Sequence, residues 1–368
     1  MNKLIIGFSF VIITLCIIVF TVFGEEEKNE NYMKGLDLAV SGEFEKAKEK
    51  FQKALDEEPE NNVYKYIIEV CEDVISKKLK NEAAKFIFQG ISYGDKSMID
   101  EQIESYSKAI ELNPDYAALY QNRGYIYYQE KGLYKLAHKD FNKAIELGIN
   151  HAAAFLNRGH TNYQLNKFDR AISDFTKAIE LDPDNYDSIF DRGVTYDSMG
   201  KYQLAIKDYT KAIEINPDDA DAYANRGTIY SQINENELAY KDYCKALEVD
   251  PKNQKALVNR GSHYNHMMEY EKAISVFNEA EKLYPEDPEI YYNRGVAYFK
   301  SKQYKKAMAD YSRSIEFKPD DFKTYLNRGI IHMAIYGEKE KACSDFKKAC
   351  ELGYCDLYEK AKKNGDCE

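Results

Sequence analysis

A pair of histidines is the first candidate for metal chemistry in this chain of 368 residues. His263 and His266 lie three residues apart, a spacing at which two imidazoles on one helix can share a metal ion. No cysteine, aspartate or glutamate of a known metal-site pattern accompanies them, so we predict no metal site. The sequence also carries no glycine-rich phosphate loop, nucleophile elbow or zinc-protease pattern. We therefore predict no catalytic residues, no cofactor and no small-molecule substrate.

An arginine directly before a glycine recurs along the chain, at helix positions that the pattern predicts to be half-buried. A buried arginine requires a carboxylate partner. In six of seven segments an aspartate follows, just before an aromatic residue of the next helix; the seventh has Val276 there. We predict internal ion pairs, either within a segment or across to its neighbour. The arginines are Arg123, Arg158, Arg192, Arg226, Arg260, Arg294 and Arg328, and the aspartates are Asp140, Asp174, Asp208, Asp242, Asp310 and Asp345.

Four cysteines close to the end of the sequence could form disulfides in three pairings. Cys343 and Cys350 lie two helical turns apart, about 10 Å, which is too far to bridge. If the last helix folds back antiparallel, Cys350 meets Cys355 and Cys367 returns towards Cys343. We predict these two disulfides, which require an extracytoplasmic location.

The elements that position these residues are clearest in segment 152–185, which reads as two antiparallel helices and a stop. Gly159 and Ala171 are small where the helices would cross, so the backbones can approach closely. Pro183 cannot continue the second helix, and the acidic or amide residues beside it can cap the next one. A unit this small cannot bury its own apolar faces and needs neighbours.

Those neighbours recur at a fixed period. The arginines follow one another at a step of 35 residues once and 34 residues five times. An aromatic residue also recurs in every second helix, where we predict core packing rather than cofactor stacking. These aromatics are Phe51, Tyr106, Phe141, Phe175, Tyr209, Tyr243, Phe277, Tyr311 and Phe346.

With these motifs the chain resembles the tetratricopeptide repeat family, in a variety with Asn-Arg-Gly where the commoner pattern has an aliphatic residue before the glycine. The resemblance implies an all-α fold, a right-handed α-solenoid of about nine helix-turn-helix repeats with a C-terminal capping helix. We place a first repeat at 25–61 and an extra helix at 62–82. The repeat solenoid follows at 83–353, and the capping helix and tail at 354–368.

Residues 1–24 are of a different kind, and we predict a transmembrane anchor or signal peptide. Segment 4–23 is 20 residues without a charge, long enough to span about 30 Å of hydrocarbon. Lys3 precedes it and acidic residues follow, so the repeats should be extracytoplasmic. Cleavage of a signal peptide would instead leave a secreted or periplasmic protein. A lipoprotein at Cys16 is disfavoured, because Leu15 occupies a place that requires a small residue.

Charge narrows the choice of partners. The formal net charge is -11, and phosphate backbones require clustered Lys and Arg. Lysines such as Lys177 and Lys211 recur in the second helices, but each lies beside a carboxylate. We therefore predict no nucleic-acid partner.

An asparagine precedes the arginine in six of the seven segments, and Asp191 stands in the remaining one. In tetratricopeptide repeat proteins this helix lines a concave groove, and in one member an asparagine ladder holds a peptide backbone. The resemblance thus implies a peptide groove, since an amide offers a donor and an acceptor to a main chain. The alternative is that these amides bridge adjacent helices. The predicted peptide-binding residues are Asn122, Asn157, Asn225, Asn259, Asn293, Asn327, Phe190, Tyr292 and Phe299.

Two functions remain open from the sequence. The first is a non-enzymatic, membrane-anchored scaffold that binds an extended peptide segment of a protein partner in the groove. The second is a structural component of a membrane-associated assembly, which uses its convex faces or segment 62–82.

Overall fold

The computed structural model describes residues 29–368, and all of their regular structure is helical. The prediction of an all-α fold is confirmed. The anchor or signal segment predicted at 1–24 lies outside the described residues; within 29–368 no helix has the length and apolar character needed to cross a membrane. The helices are α1 Glu30–Ser41, α2 Phe44–Glu57, α3 Asn62–Ile75, α4 Asn81–Gly94, α5 Ile99–Leu112, α6 Ala117–Gln129, α7 Tyr134–Glu146, α8 Ala152–Gln164, α9 Phe168–Leu181, α10 Tyr186–Ser198, α11 Tyr202–Ile215, α12 Ala220–Gln232, α13 Asn236–Val249, α14 Gln254–His266, α15 Tyr270–Leu283, α16 Pro288–Lys300, α17 Tyr304–Phe317, α18 Phe322–Ile331, α19 Lys339–Glu351 and α20 Asp356–Lys363.

Most of these helices pack as consecutive pairs, each pair being one repeat. The pairs with extensive contact include α4 with α5, α6 with α7, α8 with α9, α12 with α13, α14 with α15 and α16 with α17. Helix α3 lies outside this pairing: it packs against α2, while α1 contacts α4. It occupies the segment in which the sequence predicts an extra helix. The predicted domain bounds themselves remain a prediction.

The described residues divide into two compact units, the first ending at Asp208 and the second spanning Tyr209–Glu368. In the first unit the largest apolar cluster joins α1 to α6, with Phe51, Ile67 and Phe88 fully buried. In the second unit the clusters recur repeat by repeat, for example around Phe277 and around Tyr311. Each repeat therefore completes its core with side chains from its neighbours, as expected for stacked units.

Close approach of the two helices of a repeat depends on glycine. A Cβ on Gly159 would lie 2.6 Å from Cε1 of Phe175, and a Cβ on Gly261 would lie 2.5 Å from Cζ of Phe277. No side chain tolerates such distances, so only glycine admits the ring. All nine predicted second-helix aromatics are at most 4% exposed, which confirms core packing.

Polar side chains begin the first helices at the predicted places. Oδ1 of Asn185 accepts a hydrogen bond from the Ser188 N–H at 3.0 Å, and Oδ1 of Asn253 accepts one from Ala256 at 2.9 Å. Such caps satisfy N–H groups that have no partner within the helix. The amide or acid that follows the proline of one repeat thus starts the next.

Two repeats hold an extra residue between the arginine and the aspartate. Arg123 and Asp140, like Arg328 and Asp345, are 17 residues apart, whereas Arg158 and Asp174 are 16 apart. After α18 the chain forms a π turn over His332–Tyr336, which widens the helix by one residue. The arginine and the aspartate still meet.

The end of the chain closes the last repeat. Ala361 of α20 is buried with Phe346 and Ala342, and Leu357 and Tyr358 pack against the same cluster. Disulfides join Cys343 to Cys367 and Cys350 to Cys355, as predicted. The capping helix is therefore held to α19 by packing and by covalent bonds.

Candidate functional site

The recurrent arginines form ion pairs with aspartates of the same repeat. In repeat 152–185, Nη2 of Arg158 lies 2.6 Å from Oδ1 of Asp174, and Nε also donates to this carboxylate. The prediction is confirmed for all six arginines that have an aspartate, and the pairs lie within a repeat rather than between neighbours. The other five pairs are Arg123 with Asp140, Arg192 with Asp208, Arg226 with Asp242, Arg294 with Asp310 and Arg328 with Asp345.

Each of these arginines also reaches the preceding repeat. Nη1 of Arg158 donates to Oδ1 of Asn142 at 3.0 Å, and Nη1 of Arg226 donates to Oγ1 of Thr210 at 3.0 Å. Sequence reasoning missed this contact, although a signal was present: Ser, Thr or Asn directly follows the second-helix aromatic. The six acceptors are Ser107, Asn142, Thr176, Thr210, Asn278 and Ser312. The arginines thus join three helices each.

Burial and hydrogen bonding have opposite effects on the pKa values of these paired side chains. The hydrogen bonds that Arg192 donates to Asp208 raise the pKa of Arg192, and together with the negative charge of Asp208 they outweigh the desolvation that would lower it. Burial raises the pKa of Asp310 against the hydrogen bonds from Arg294. A charged pair at such a site holds the helices in register, because removing either partner would leave a buried charge.

Two of the predicted peptide-binding asparagines lie in the first unit and are buried. Asn122 is 1% exposed, and its Nδ2 donates to the hydroxyl of Tyr66 in α3 at 2.7 Å. Asn157 is 6% exposed. The predicted contact residue Phe190 is 8% exposed and stacks on Tyr186 with ring centroids 5.7 Å apart. Asn122 therefore bridges helices, which is the alternative that the sequence left open.

The row contains one histidine–aspartate contact that the sequence did not reveal. Asp191, which stands in place of an asparagine, lies with its Oδ2 2.5 Å from Nε2 of His160, between consecutive first helices. The ring of His160 also lies 5.6 Å from that of Phe175. The spacing of 31 residues hid this pair from a search for motifs within one repeat.

The other four asparagines lie in the second unit and are less uniformly engaged. Oδ1 of Asn225 accepts a hydrogen bond from Nζ of Lys255, and Nδ2 of Asn259 donates to Oγ1 of Thr228 at 2.9 Å. The Nδ2 of Asn327 lies 3.5 Å from the hydroxyl of Tyr292. Asn293 is half-buried, and its side-chain amide makes no hydrogen bond to the described residues.

The two predicted aromatic contacts of this unit are half-buried beside those amides. Tyr292 directly precedes Asn293 and packs 6.2 Å from the Tyr311 ring, centroid to centroid. Phe299 lies two turns further along α16, with its ring 5.8 Å from that of Tyr304. Helix α16 thus presents a free amide and two partly exposed aromatic rings.

His263 and His266 are the two histidines whose spacing would suit a metal ion. The ring of His263 stacks on Tyr240 at 5.2 Å, and burial lowers its pKa, with His266 contributing in the same direction. Among residues 29–368 no three side chains of His, Cys, Asp or Glu are grouped so as to hold a metal ion.

Models of known protein families match much of the chain. Models described as tetratricopeptide repeat match residues 117–147, 152–185, 186–219, 208–241 and 288–321, and a model described as TPR repeat matches 93–131 and 269–302. Together they cover more than half of the sequence. No protein in the curated collections matches it.

Solved structures share the fold. The chain is similar to the Cut9–Hcn1 hetero-tetramer of the APC/C, with 16% identity, a TM-score of 0.54 and coverage of 90% of this chain and 75% of that one. It is also similar to the C-terminal part of a TPR repeat-containing protein from Cytophaga hutchinsonii, with 19% identity, a TM-score of 0.52 and coverage of 66% and 98%. For PilF of Pseudomonas aeruginosa the identity is 20%, the TM-score 0.51 and the coverage 58% and 97%.

These likenesses agree with the repeat period, the glycine and aromatic pairs and the helix order described above. The chain belongs to the tetratricopeptide repeat family.

Proposed function

We propose that this protein is a non-enzymatic scaffold that binds an extended peptide segment of a partner protein along its first helices. Repeats of this family are protein-interaction modules. The observation that carries the proposal is the half-buried amide of Asn293, which makes no hydrogen bond to the described residues. A peptide main chain offers this amide both a donor and an acceptor.

Neighbouring side chains extend this surface in the second unit. Tyr292 and Phe299 flank the amide on α16, and Asn259 and Asn327 lie on the first helices of the adjacent repeats. Partly exposed aromatic rings beside free polar groups are typical of peptide contacts. The six arginine pairs fix the repeats, so little ordering of the site is needed on binding.

The peptide contacts are therefore assigned to the second unit. Asn122 already donates to Tyr66 and is buried, so its amide stabilises α6 against α3. Asn157, Asn225 and Phe190 are at most 9% exposed. These three side chains are too buried to offer an amide or a ring to a peptide.

A photocrosslinking experiment tests the site. A benzoylphenylalanine at position 299 of the full-length protein should crosslink to one segment of a partner in the cells that make it. The matched position is Lys305, which is exposed on the second helix of the same repeat. Crosslinks at 305 but none at 299 would refute binding along the first helices.

The alternative function is a structural role in a membrane-associated assembly, with contacts made by the second helices of the repeats. Leu136 and Leu204 are 44% and 45% exposed and occupy the same position in the second helices α7 and α11. A benzoylphenylalanine at 204 reports on this surface. A membrane assembly that forms through this surface would give crosslinks at position 204 and none at position 299.

We further propose that segment 4–23 attaches the protein to a membrane, with the repeats on the extracytoplasmic side. The support is its 20 uncharged residues and the predicted disulfide requirement for an oxidising compartment. Membranes washed with carbonate should retain the full-length chain and release a form that lacks 4–23. The mass of the retained protein shows whether the segment has been cleaved.

A further inference from the structure

One junction between consecutive first helices of the first unit differs from the others. Asp191 on α10 interrupts the row of six asparagines, so this junction has a carboxylate where the other repeats have an amide. Its neighbour on α8 is His160, whose Nε2 lies 2.5 Å from Oδ2 of Asp191. Both side chains border a cavity of about 10 Å³. A cavity of this volume holds one group of the size of a water molecule.

Aromatic rings form most of the wall of this cavity. Besides His160, Tyr128 of α6, Tyr163 of α8 and Phe175 of α9 contribute rings. The ring of Tyr128 stacks on that of His160, with the ring centroids 6.2 Å apart. The hydroxyl of Tyr163 lies 3.0 Å from Oγ of Ser198 on α10. Because the faces of aromatic rings attract cations, such a wall suits a positively charged group.

The rest of the wall contains one carboxylate. It consists of Gln164, Val194 and Asp191, with no lysine or arginine of the described residues. Oδ2 of Asp191 contacts His160, whereas Oδ1 makes no hydrogen bond to residues 29–368. Oδ1 also keeps accessible surface, and the whole side chain is 13% exposed. A group that enters the cavity can therefore reach this oxygen.

The charge of Asp191 has no lysine or arginine to balance it. No such side chain in the described part of the chain lies within ion-pair distance of this carboxylate. Arg192 is the next residue, but its guanidinium is paired with Asp208. Burial raises the pKa of Tyr128, and the negative charge of Asp191 raises it further, so this charge acts on the cavity wall. A largely buried carboxylate is stabilised by a cation beside it.

We propose that this cavity is a binding site for a primary alkylammonium group. The ammonium donates a hydrogen bond to Oδ1 of Asp191 and lies against the rings of Tyr128 and Tyr163. Val194 is half-buried and offers an apolar contact to the methylene stem. A guanidinium, with its three nitrogens, is larger than a cavity that holds one water molecule. The ligand is therefore an amine rather than an arginine side chain.

This site is separate from the peptide surface proposed above, because all of its residues lie in the first unit. A lysine side chain of a protein and a free alkylamine offer the same ammonium group. The ligand is therefore defined by its ammonium and its methylene stem, and the choice of probes distinguishes the two sources.

Calorimetric titration of the full-length protein in a non-ionic detergent tests the proposal. The buffer contains about 0.15 M salt, which screens the exposed charges of the surface. The four probes are acetyllysine methylamide with a free side-chain amine, the same compound with that amine acetylated, butylammonium, and acetylarginine methylamide. The lysine probe and butylammonium should bind saturably and at least tenfold more tightly than the other two. Tighter binding of the lysine probe than of butylammonium identifies a protein chain as the source, and the opposite order or equality identifies a free amine.

Three variants decide whether the binding is in this cavity. Asp191→Asn restores the residue of the other six repeats and can keep a hydrogen bond to His160. It should weaken ammonium binding at least tenfold while the melting temperature changes little. Tyr163→Leu removes one ring and should weaken binding about threefold. Asp197→Asn is the matched control: it removes the same charge from the same helix at a residue that does not line the cavity, and it should bind as the wild type.

Several results would overturn the proposal. They are the absence of saturable binding by both ammonium probes, equal binding of the lysine probe and its acetylated form, tighter binding of the arginine probe, or unchanged binding in Asp191→Asn. Equal losses in Asp191→Asn and Asp197→Asn would also overturn it, because they would assign the binding to the general acidity of α10. Should Asp191→Asn fail to fold, the comparison of Tyr163→Leu with Asp197→Asn decides alone.

Discussion

Arg260 has a buried Nε without a hydrogen-bond partner among the described residues, and Val276 occupies the place from which an aspartate pairs with the arginine in six other repeats. Cys244 replaces the Ser, Thr or Asn that accepts from Nη1 elsewhere. The nearest carboxylate within ion-pair range is that of Glu279, 3.8 Å from Nη2 and itself 57% exposed. Both usual partners of this arginine, one in its own repeat and one in the preceding repeat, are therefore missing.

Restoring the aspartate should stabilise the protein. Val276→Asp places a carboxylate where Asp310 pairs with Arg294, and hydrogen bonds to a charged group contribute about 1.5–3 kcal/mol. Burial of the new charge offsets part of this, so we expect a net gain of about 1 kcal/mol and a higher melting temperature. The same substitution in an Arg260→Leu background is the control. In that background the new carboxylate has no cation, so Val276→Asp should lower the stability of the protein. A loss of equal size in both backgrounds would contradict the prediction.

Removing a paired arginine should lower the free energy of unfolding far more than removing the unpaired one. Arg158→Leu leaves Asp174 buried at 6% side-chain exposure without its cation, a change that costs about 3 kcal/mol. Arg260→Leu removes only a long contact with an exposed glutamate, for which we expect less than about 1 kcal/mol. Urea unfolding of both variants compares the two costs. Equal losses would show that the pairing does not determine stability.

The histidine that caps the start of α8 should make the stability of the protein depend on pH. Nδ1 of His151 accepts from the N–H of Ala154 at 3.3 Å at the start of α8, which requires the unprotonated ring. Burial lowers the pKa of His151, so the folded state favours the neutral form. The stabilisation is present above the unfolded-state pKa of about 6.5 and is lost as the pH falls through the lower folded-state value.

His151→Asn tests this contribution, because asparagine caps a helix without titrating. Between about pH 7.5 and pH 5 the variant should lose less stability than the wild type, by up to about 1 kcal/mol, the usual worth of an N-cap. Chemical denaturation at both pH values measures the difference. Parallel losses in the two proteins would assign the acid sensitivity to other groups.

Contacts that recur from repeat to repeat are the ones that the sequence predicts best. The pairing of Arg158 with Asp174 could be predicted because six repeats show the same two residues at nearly the same spacing. The contact of Arg158 with Asn142 was present in the same comparison but crosses a repeat boundary, and it was missed. The disulfides followed from the pitch of a helix and the reach of a cysteine side chain.

Residues outside the repeat frame could not be placed in this way. Asn122 looks like the other members of its row, yet it is buried because the inserted helix α3 brings Tyr66 against it. Likewise, Asn162 stands three residues after Gly159, where five other repeats carry a tyrosine, and no pattern within its own repeat indicates that its Nδ2 donates to Asp174. Burial is decided by the neighbouring repeat, whose side-chain volumes the periodicity does not specify.

The asparagines should therefore divide into two functional groups, and Asn122 and Asn293 are a matched pair for testing this. Asn122→Ala removes a buried hydrogen bond between α6 and α3, the one that Nδ2 donates to the Tyr66 hydroxyl, so it should lower stability by about 0.5–1.5 kcal/mol. Asn293→Ala removes an amide that makes no hydrogen bond to the described residues, so stability should change little. Partner affinity should behave in the opposite way: a main chain held by the Asn293 amide loses up to two hydrogen bonds, each worth about 0.5–1.5 kcal/mol. Melting and binding of the segment crosslinked at position 299, measured on the same preparations, separate the two effects. An Asn293→Ala variant that melts early and binds its partner normally would rule out the peptide-binding role of this amide.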